Sequence, residues 1–434
     1  MPDTLFRHGA LLLPDAAVLE DGWLRVRDDK IAAYGAGEVV PSPADAVVEL
    51  GGNLLMPGLI NAHTHAAMTL FRGLADDLPL MDWLNNYIFP AEKNLTAEWV
   101  KWGTLLACLE MMRGGTTTFA DMYLFIDTAA AAAEASGLRA VVGEALYDFP
   151  SPHYGAAANG LKFTRDFIQR WREHPTVHPV VNAHSAYTCS PALLQAANEI
   201  AAEYDVLLHL HVAENEAEVA QVAGRYGARP LKHLANLGLA TPRLLAAHMV
   251  HLDDEEMELT AANGVRVAHN PVSNLKLVSG VARAPEMLRR GVAVGLGTDG
   301  CASNNNLDMF NTMKTAACLH KWDSRDATAL SAAQTLALAT DARCLRLEKI
   351  TGKIAVGLAA DLVVVDFSAP NMRPCYDRAA QLVYAATPHN VRDVMVHGKW
   401  LLRDRRVLTI DENEVYANVE IIAEKIRRAV GKSN

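Results

Sequence analysis

The stretch GLINAHTH, residues 58–65, is an apolar run of β-strand type that ends on a polar residue. Seven similar runs follow it and alternate with helical stretches, which is the pattern of parallel βα units. These runs are TTTFAD (116–121), RAVVGE (139–144), PVVNAH (179–184), LLHLHVAE (207–214), RLLAAH (243–248), VRVAHN (265–270) and VAVGLGTD (292–299). The count of eight predicts an α/β chain with a (β/α)8 TIM barrel. The alternative is a large doubly wound sheet, whose strand ends are also polar.

Short strands are predicted at both ends of the chain. Residues 23–34 form two apolar runs on either side of a turn at Asp28-Asp29-Lys30. Near the C-terminus, residues 360–367 indicate a strand, and residues 391–404 indicate a hairpin that turns at Gly398-Lys399. We therefore predict a small β-sandwich domain formed from both termini, residues 1–57 and 360–434, and a barrel catalytic domain of residues 58–359.

Composition and charge exclude several classes of protein. The 434 residues carry 40 Lys+Arg against 50 Asp+Glu, a net charge of −10 with no basic stripe for nucleic-acid phosphates. No uncharged apolar segment of about 18 residues and no export signal are evident, so we expect a soluble protein without a membrane partner. The six cysteines are scattered and form no CxxC pair, which fits a cytoplasmic, reducing location.

Each of the eight runs ends on a polar or ionisable residue. The ends are His65, Asp121, Glu144, His184, Glu214, His248, Asn270 and Asp299. In a barrel the C-terminal strand ends surround one mouth, so these side chains could converge on one site.

His63 and His65 lie two apart, so both point to one face with Cα atoms ~6.6 Å apart and can reach one ion. For an isolated pair, the alternative is two core histidines satisfied by hydrogen bonds.

The fifth run repeats this spacing with His209 and His211, and Glu214 follows. We assign the ligand to His211, which is nearer the barrel mouth, and leave His209 as an inward-facing residue that supports a ligand or packs. With His248 and Asp299 from two further strand ends, the donors form a nitrogen and oxygen site suited to Zn²⁺, with Fe²⁺, Mn²⁺ or Co²⁺ as alternatives. Such an ion lowers the pKa of bound water to ~7 and provides a nucleophile at neutral pH.

Other catalytic and cofactor motifs are rejected or absent. Gly295-x-Gly297-x-x-Gly300 formally matches the dinucleotide fingerprint, but Asp299 inside it would face the pyrophosphate, and the residues that follow do not open a convincing helix. The phosphate-binding P-loop, the GxSxG elbow and the H-x-E…P-C-x-x-C deaminase signature do not occur. Any deaminase chemistry must therefore use the barrel site.

Five motifs resemble the amidohydrolase superfamily, in this order along the chain: PGLINAHTH, LHLHVAEN, AAHMVHLD, VAHNPVSN and GLGTDG. The resemblance covers nearly the whole chain. Within it, RGLADDLPLMDWLNNYIFPAEKNLT (72–96) is similar to the methylthioadenosine/S-adenosylhomocysteine deaminase family, whose neighbours act on cytosine, guanine and triazines. The resemblance implies metal-dependent hydrolytic deamination of adenine-type nucleosides to their inosine analogues.

The resemblance also implies roles for particular residues. His63, His65, His211 and Asp299 would bind metal, Glu214, His248 and Asp299 would form the catalytic set, and Glu92 and His184 would join Glu214 and Asp299 in contacting substrate. Activated water would attack C6 of the ring while Glu214 protonates N1, and Asp299 would carry the remaining proton to the leaving amino group. Binuclear relatives have a bridging lysine where this chain has His184-Ser185, so we expect one divalent ion, with zinc favoured.

The segment after the third strand, where some family members bind the 5′ substituent of the nucleoside, departs from the family pattern. Some members clamp the homocysteine carboxylate with arginine after the third strand, but residues 147–163 contain no arginine, and Lys162 is the cation there. We therefore expect 5′-methylthioadenosine to be preferred over S-adenosylhomocysteine.

Deamination of guanine or cytosine and triazine hydrolysis are alternatives, as is a non-enzymatic scaffold, which would not need the complete ligand and acid set. We also expect a homo-oligomer.

Overall fold

The computed structural model describes residues 3–78 and 84–431. Its strands, in chain order, are β1 (Thr4–Leu12), β2 (Val18–Arg27), β3 (Lys30–Ala36), β4 (Ala46–Glu49), β5 (Leu54–Pro57), β6 (Leu59–Thr64), β7 (Thr116–Tyr123), β8 (Arg139–Leu146), β9 (Val177–Pro179), β10 (Val181–Ser185), β11 (Leu208–Val212), β12 (Leu244–His248), β13 (Arg266–His269), β14 (Val294–Leu296), β15 (Leu362–Val365), β16 (Val391–Val396), β17 (Lys399–Arg403) and β18 (Arg406–Val407). They form two separate sheets, one from the middle of the chain and one from its two ends.

Helices follow the strands of the central sheet. The α-helices are Phe89–Glu92, Ala97–Arg113, Ile126–Ser136, Ala157–Trp171, Pro191–Glu203, Glu216–Tyr226, Pro230–Asn236, Asp254–Ala262, Pro271–Lys276, Ala284–Arg289, Cys301–Asn304, Met309–Ser324, Ala332–Thr340, Arg378–Tyr384 and Glu412–Ala429. Short 3₁₀ segments are Pro14–Ala16, Ala66–Phe71, Ala342–Leu345, Pro370–Met372 and Pro388–Asn390, and a π-type turn is Leu84–Ile88. Several helices begin at a side-chain cap: Thr96, Ser190 and Asp308 each accept a hydrogen bond from a backbone N–H of the first turn.

The central sheet is the predicted barrel. Its strands follow the order β6, β7, β8, β10, β11, β12, β13, β14 with parallel pairing throughout, and β9 adds to β8. The end of β14 returns to β6, where the N–H of Asp299 donates to the carbonyl of His63 at 3.0 Å. At the same closure, Asn61 accepts from the N–H of Thr298 at 2.9 Å. All eight predicted runs are strands of this barrel, so the predicted TIM barrel is confirmed.

Glycine permits the close approach of β14 to β6. A Cβ added to Gly297 would lie 2.3 Å from Oδ1 of Asn270 and 3.0 Å from Cβ of His63, so any larger residue would push the strands apart. Gly300 likewise faces His65, at 3.1 Å from the added Cβ to Cβ of His65. The glycine pattern that resembles a dinucleotide fingerprint therefore serves barrel closure.

Some predicted strand ends differ from those observed. β7 continues two residues past Asp121 because its parallel register with β8 runs on to the pair Tyr123 and Glu144. β8 continues two residues past Glu144 because Ala145 and Leu146 pair with β10. Asp121 and Glu144 consequently lie inside strands. In contrast, β14 ends at Leu296, and Asp299 follows three residues later with a left-handed φ of +63°.

The second sheet joins the two chain ends, as the sequence predicts. Its order is β18, β17, β16, β15, β5, β1, β2, β3, with β4 paired to β1. Within this sheet, a separate apolar core contains Phe6, Leu24, Leu55, Val364 and Met395. The hairpin of β16 and β17 turns at His397-Gly398, both with positive φ, one residue before the predicted Gly398-Lys399. The reason is that Lys399 pairs with Val396 as the first residue of β17.

The C-terminal segment also contains a long helix that belongs to the barrel surface. Glu412–Ala429 packs against the barrel helix Ala97–Arg113, and Arg113 donates to Glu412 at 2.7 Å. Residues 360–434 are thus not purely β. The predicted domain bounds of 1–57, 58–359 and 360–434 stay a prediction.

A buried ion pair links the barrel to the terminal sheet. Arg139, at the start of β8, donates to both carboxylate oxygens of Asp361, at 2.8 and 3.2 Å, and both side chains are fully buried. Arg139 also donates to the carbonyl of Pro175, and Asp361 accepts from the N–H of His397. Because each charge is compensated by its partner and by backbone groups, loss of either side chain leaves an unpaired charge in the interior.

We expect Asp361→Asn to lower the free energy of unfolding by about 3–5 kcal/mol, because it leaves the Arg139 guanidinium buried without a counterion. The measurement is the urea unfolding midpoint and slope, by circular dichroism. Glu173→Gln is the matched control, since the Arg172–Glu173 pair is exposed and is expected to contribute under about 1 kcal/mol. An equal loss of unfolding free energy in the two variants would contradict the conclusion that the Arg139–Asp361 ion pair stabilises the fold.

Two further features concern the helices and the cysteines of the described residues. Among the helices that the structure describes, none is long and apolar enough to cross a membrane. All six cysteines are free, four of them buried, so the described part of the chain contains no disulfide.

Candidate functional site

Histidines and one carboxylate meet at the C-terminal mouth of the barrel. Oδ1 of Asp299 lies 3.4 Å from Nε2 of His63 and 3.2 Å from Nε2 of His65. Nε2 of His211 lies 3.3 Å from Nε2 of His65. The ligand atoms of His63, His65 and Asp299 lie within 4.8 Å of one another, and so do those of His63, His211 and His248. The four residues predicted as metal ligands are therefore brought together, with His248 beside them.

Backbone carbonyls orient two of these imidazoles. Nδ1 of His65 donates to the carbonyl of Met122, and Nδ1 of His211 donates to the carbonyl of His184 at 2.8 Å. Because a carbonyl only accepts, each ring carries a proton on Nδ1, and Nε2 faces the centre as the nitrogen that could bind an ion. This arrangement suits a cation better than a network of hydrogen bonds.

His63 is oriented by His209, the residue that the sequence leaves open as a supporting or a packing group. Nδ1 of His63 lies 3.0 Å from Nε2 of His209. Burial lowers the pKa of His209 well below its usual value, so the ring is neutral and Nε2 can accept. Nε2 of His63 is buried and makes no hydrogen bond to any residue that the structure describes. A buried nitrogen without a hydrogen-bond partner, beside a carboxylate, fits a bound divalent cation.

Two serines that sequence reasoning missed hold the second oxygen of Asp299. Oδ2 accepts from Oγ of Ser273 at 2.6 Å and from Oγ of Ser303 at 2.7 Å. Burial raises the pKa of Asp299, but the neighbouring imidazoles of His63 and His65 outweigh burial and bring this pKa well below its usual range. The serines occur in VAHNPVSN and in the CASNNN segment after the eighth strand, and no local spacing marks them as partners of Asp299.

Glu214 and His248 face each other at the same mouth. Oε2 of Glu214 lies 4.0 Å from Nε2 of His248, whose Nδ1 lies 2.9 Å from Oδ1 of Asn274. Burial raises the pKa of Glu214 above its usual value, so this carboxyl can carry a proton closer to neutral pH. His248 has a φ of +75°, a strained conformation of the kind that clusters at functional sites.

The residues predicted to contact substrate lie in the elements around this centre. Oε1 of Glu92, at the end of the helix Phe89–Glu92, accepts from the hydroxyl of Tyr123 at 2.8 Å, and the Tyr123 ring is 6.3 Å from that of His65. Burial raises the pKa of Glu92. His184 is the penultimate residue of β10, its Nδ1 lies 3.0 Å from Oγ1 of Thr188, and burial lowers its pKa to about 4. Residues 79–83 of the family-like stretch 72–96 lie outside the described residues.

Two of the remaining predicted strand ends support the backbone, and the third contacts His248. Oδ1 of Asp121 accepts from the N–H of Ala66 at 2.7 Å, and Glu144 accepts from the N–H of Ile126 at 2.9 Å. Asn270 lies 3.4 Å from Nδ1 of His248. Asp121 and Glu144 therefore hold backbone groups, and only Asn270 of these three contacts a side chain of the site.

Comparison with known proteins identifies the family to which the chain belongs. The model of the amidohydrolase family matches residues 54–401, which is most of the chain. The chain belongs to the amidohydrolase family, whose members depend on metal.

Individual relatives agree with the resemblance that the sequence predicts, which is thereby confirmed. The chain is 52% identical to a 5-methylthioadenosine/S-adenosylhomocysteine deaminase of Syntrophobacter fumaroxidans over 98% of both chains. It is 44% identical to a 5′-deoxyadenosine deaminase of Methanosarcina mazei over 98% of this chain and 99% of that one. The crystal structure of an adenosine deaminase from Xanthomonas campestris with bound zinc covers 98% of this chain and 99% of its own, with a TM-score of 0.96 and 42% identity.

Proposed function

We propose that this protein hydrolytically deaminates adenine-type nucleosides, converting 5′-methylthioadenosine and S-adenosylhomocysteine to their inosine analogues with release of ammonia. The observation that carries the proposal is the position of Asp299, whose Oδ1 lies within 3.4 Å of Nε2 of both His63 and His65. The relatives support an enzyme that acts on carbon–nitrogen bonds, and they favour adenine nucleosides over guanine, cytosine or triazines.

His63, His65, His211 and Asp299 would hold one divalent ion, with zinc the best fit. Three imidazole nitrogens and one carboxylate oxygen are donors that zinc accepts while keeping a position for water. The zinc bound by the relative from Xanthomonas campestris supports this choice. When bound, the ion lowers the pKa of water and so supplies a nucleophile at neutral pH.

The protein's own residues move the protons. Glu214, with its pKa raised by burial, donates to N1 of the ring and relieves the charge that builds there during attack at C6. His248 and Asp299 orient the attacking water. One proton of that water is lost when the nucleophile forms and restores the proton that Glu214 gives to the ring. Asp299 accepts the other proton and passes it to the amino group, so ammonia leaves. Ser273 and Ser303 hold Oδ2 of Asp299 and leave Oδ1 for this exchange. A non-enzymatic scaffold would need none of these groups.

Glu92 and His184 would contact the nucleoside. A carboxylate accepts several hydrogen bonds, so the hydroxyl of Tyr123 orients Glu92 and leaves acceptor capacity for two ribose hydroxyls. His184 is neutral and can meet the purine or ribose edge. Lys162, the cation near the third strand, is exposed on the helix Ala157–Trp171. This exposure is consistent with weaker recognition of a carboxylate tail.

We expect 5′-methylthioadenosine to give the highest kcat/KM, adenosine and S-adenosylhomocysteine to be turned over, and free bases and triazines to be poor substrates. Glu92→Ala is expected to lower kcat/KM for nucleosides by roughly 10–100-fold, the value of a hydrogen bond to a charged group, and to leave adenine little changed. The measurement is ammonia release for each compound, with Lys93→Ala as the control at an exposed neighbour.

Two results would revise the substrate assignment. Guanine or cytosine turned over faster than methylthioadenosine would contradict it. A 100-fold preference for S-adenosylhomocysteine, about 2.7 kcal/mol, would require a cation outside residues 147–163, or Lys162, or an arginine of a neighbouring subunit. The homo-oligomer and the cytoplasmic location stay predictions, and six free thiols suit a reducing compartment.

A further inference from the structure

A buried carboxylate that the reaction does not use lies next to the proposed proton donor. Glu218, in the first turn of the helix Glu216–Tyr226, is 3% exposed. Its Oε1 accepts from the N–H of Ala213 at 3.0 Å, and its Oε2 accepts from the N–H of Glu214 at 2.7 Å. Both oxygens of one side chain therefore hold the two residues that follow β11.

This arrangement differs from an ordinary helix cap. Asn215 is the N-cap and accepts from the N–H of Glu218 at 2.9 Å, so the local sequence matches a capping box. In such a box the glutamate accepts from the N–H of the N-cap residue itself. Here its carboxylate accepts instead from the two residues before the cap, one of which is Glu214.

The backbone that Glu218 holds is strained and is linked to His248. Ala213 has a φ of +51°, which non-glycine residues adopt only when their surroundings impose it. The carbonyl of Ala213 accepts from the N–H groups of Val250 and His251, at 3.0 and 2.9 Å, in the turn that follows His248. Glu218 therefore supports one strained segment that carries Glu214 and braces the turn after His248.

We propose that Glu218 is a positioning residue for the deamination reaction, which keeps the carboxyl of Glu214 opposite His248. The inference rests on the proposed function, because Glu218 acts only through Glu214. A reacting group displaced by about 1 Å loses on the order of 10²-fold in rate, so small movements of this backbone matter.

The test compares four variants: Glu218→Gln, Glu214→Gln, the double variant and Glu144→Gln. Glu218→Gln keeps the shape but turns an amide NH₂ toward a backbone N–H, so one hydrogen bond is lost. We expect kcat to fall by about 10–10²-fold, with KM and metal content little changed. In the Glu214→Gln background, Glu218→Gln is expected to cause no further fall, because the residue through which it acts is already disabled.

Glu144→Gln is the matched control. Glu144 is a buried carboxylate that also accepts from two backbone N–H groups, those of Phe125, with a φ of +53°, and Ile126. Glu144 does not touch Glu214 or His248, so the kcat of the Glu144→Gln enzyme is expected to stay near the wild-type value.

Each outcome decides between explanations. A Glu218→Gln enzyme with wild-type kcat, or one whose loss is fully additive with that of Glu214→Gln, would overturn the inference alone. A Glu214→Gln enzyme at full rate would overturn both this inference and the proposed proton donor. If Glu218→Gln does not fold, Glu218→Asp is tested instead, because it keeps the charge but shortens the side chain. It is expected to lower kcat to the same extent and to cause no further fall in the Glu214→Gln background.

Discussion

Replacing His63 with alanine is expected to abolish both metal binding and turnover. His63 belongs to both groups of neighbouring donor atoms at the barrel mouth, and its Nε2 is a buried nitrogen without a hydrogen bond among the described residues. Turnover should fall by more than the ~10²–10⁴-fold that removal of a proton-transfer group costs, because the nucleophile itself is lost. His211→Ala should behave in the same way. Metal analysis after dialysis and kcat for 5′-methylthioadenosine are the measurements.

A matched histidine separates metal loss from a general loss of structure. His233, in the helix Pro230–Asn236, is also buried, and its ring stacks on that of Tyr226. It belongs to neither group of possible metal-binding atoms at the barrel mouth. His233→Ala is expected to keep close to one equivalent of metal. Two tightly bound ions per wild-type chain would contradict the single-ion assignment, and a His63→Ala enzyme that retains its metal would contradict the ligand assignment.

Glu214→Gln is expected to keep the metal and to slow kcat by on the order of 10²–10⁴-fold. The glutamine preserves size and leaves the proposed ligands intact, but it cannot deliver a proton to the ring. Glu216→Gln, at an exposed glutamate two residues later, is the control and should retain wild-type kcat. Near wild-type kcat in Glu214→Gln would show that another group protonates the ring.

Much of this site follows from local patterns. The eight apolar runs predict the barrel because a parallel sheet covered by helices needs strands that are apolar on both faces. The spacing of His63 and His65 places both imidazoles on one side of β6, since side chains alternate along a strand. Glu214 follows β11 at the barrel mouth, where catalytic groups collect.

Other parts of the site could not be found in the same way. Asp121 and Glu144 end their apolar runs as Asp299 does, yet they hold backbone groups. Ser273 and Ser303 hold Asp299, although nothing near them in the chain predicts it. Apart from Ser303, which is four residues from Asp299, these contacts join strands or loops that are distant in sequence, so no periodicity predicts them.

The sequence by itself determined the barrel, the mouth at which its polar residues collect, and the residue types that could hold a metal. These follow from alternation and from hydrophobic patterning, which act over a few residues. Only the tertiary structure decided that His209 supports His63, that Gly297 allows β14 to close on β6, and that Glu218 holds the backbone of Glu214. These depend on how closely separate segments approach, and packing across the whole barrel sets that distance.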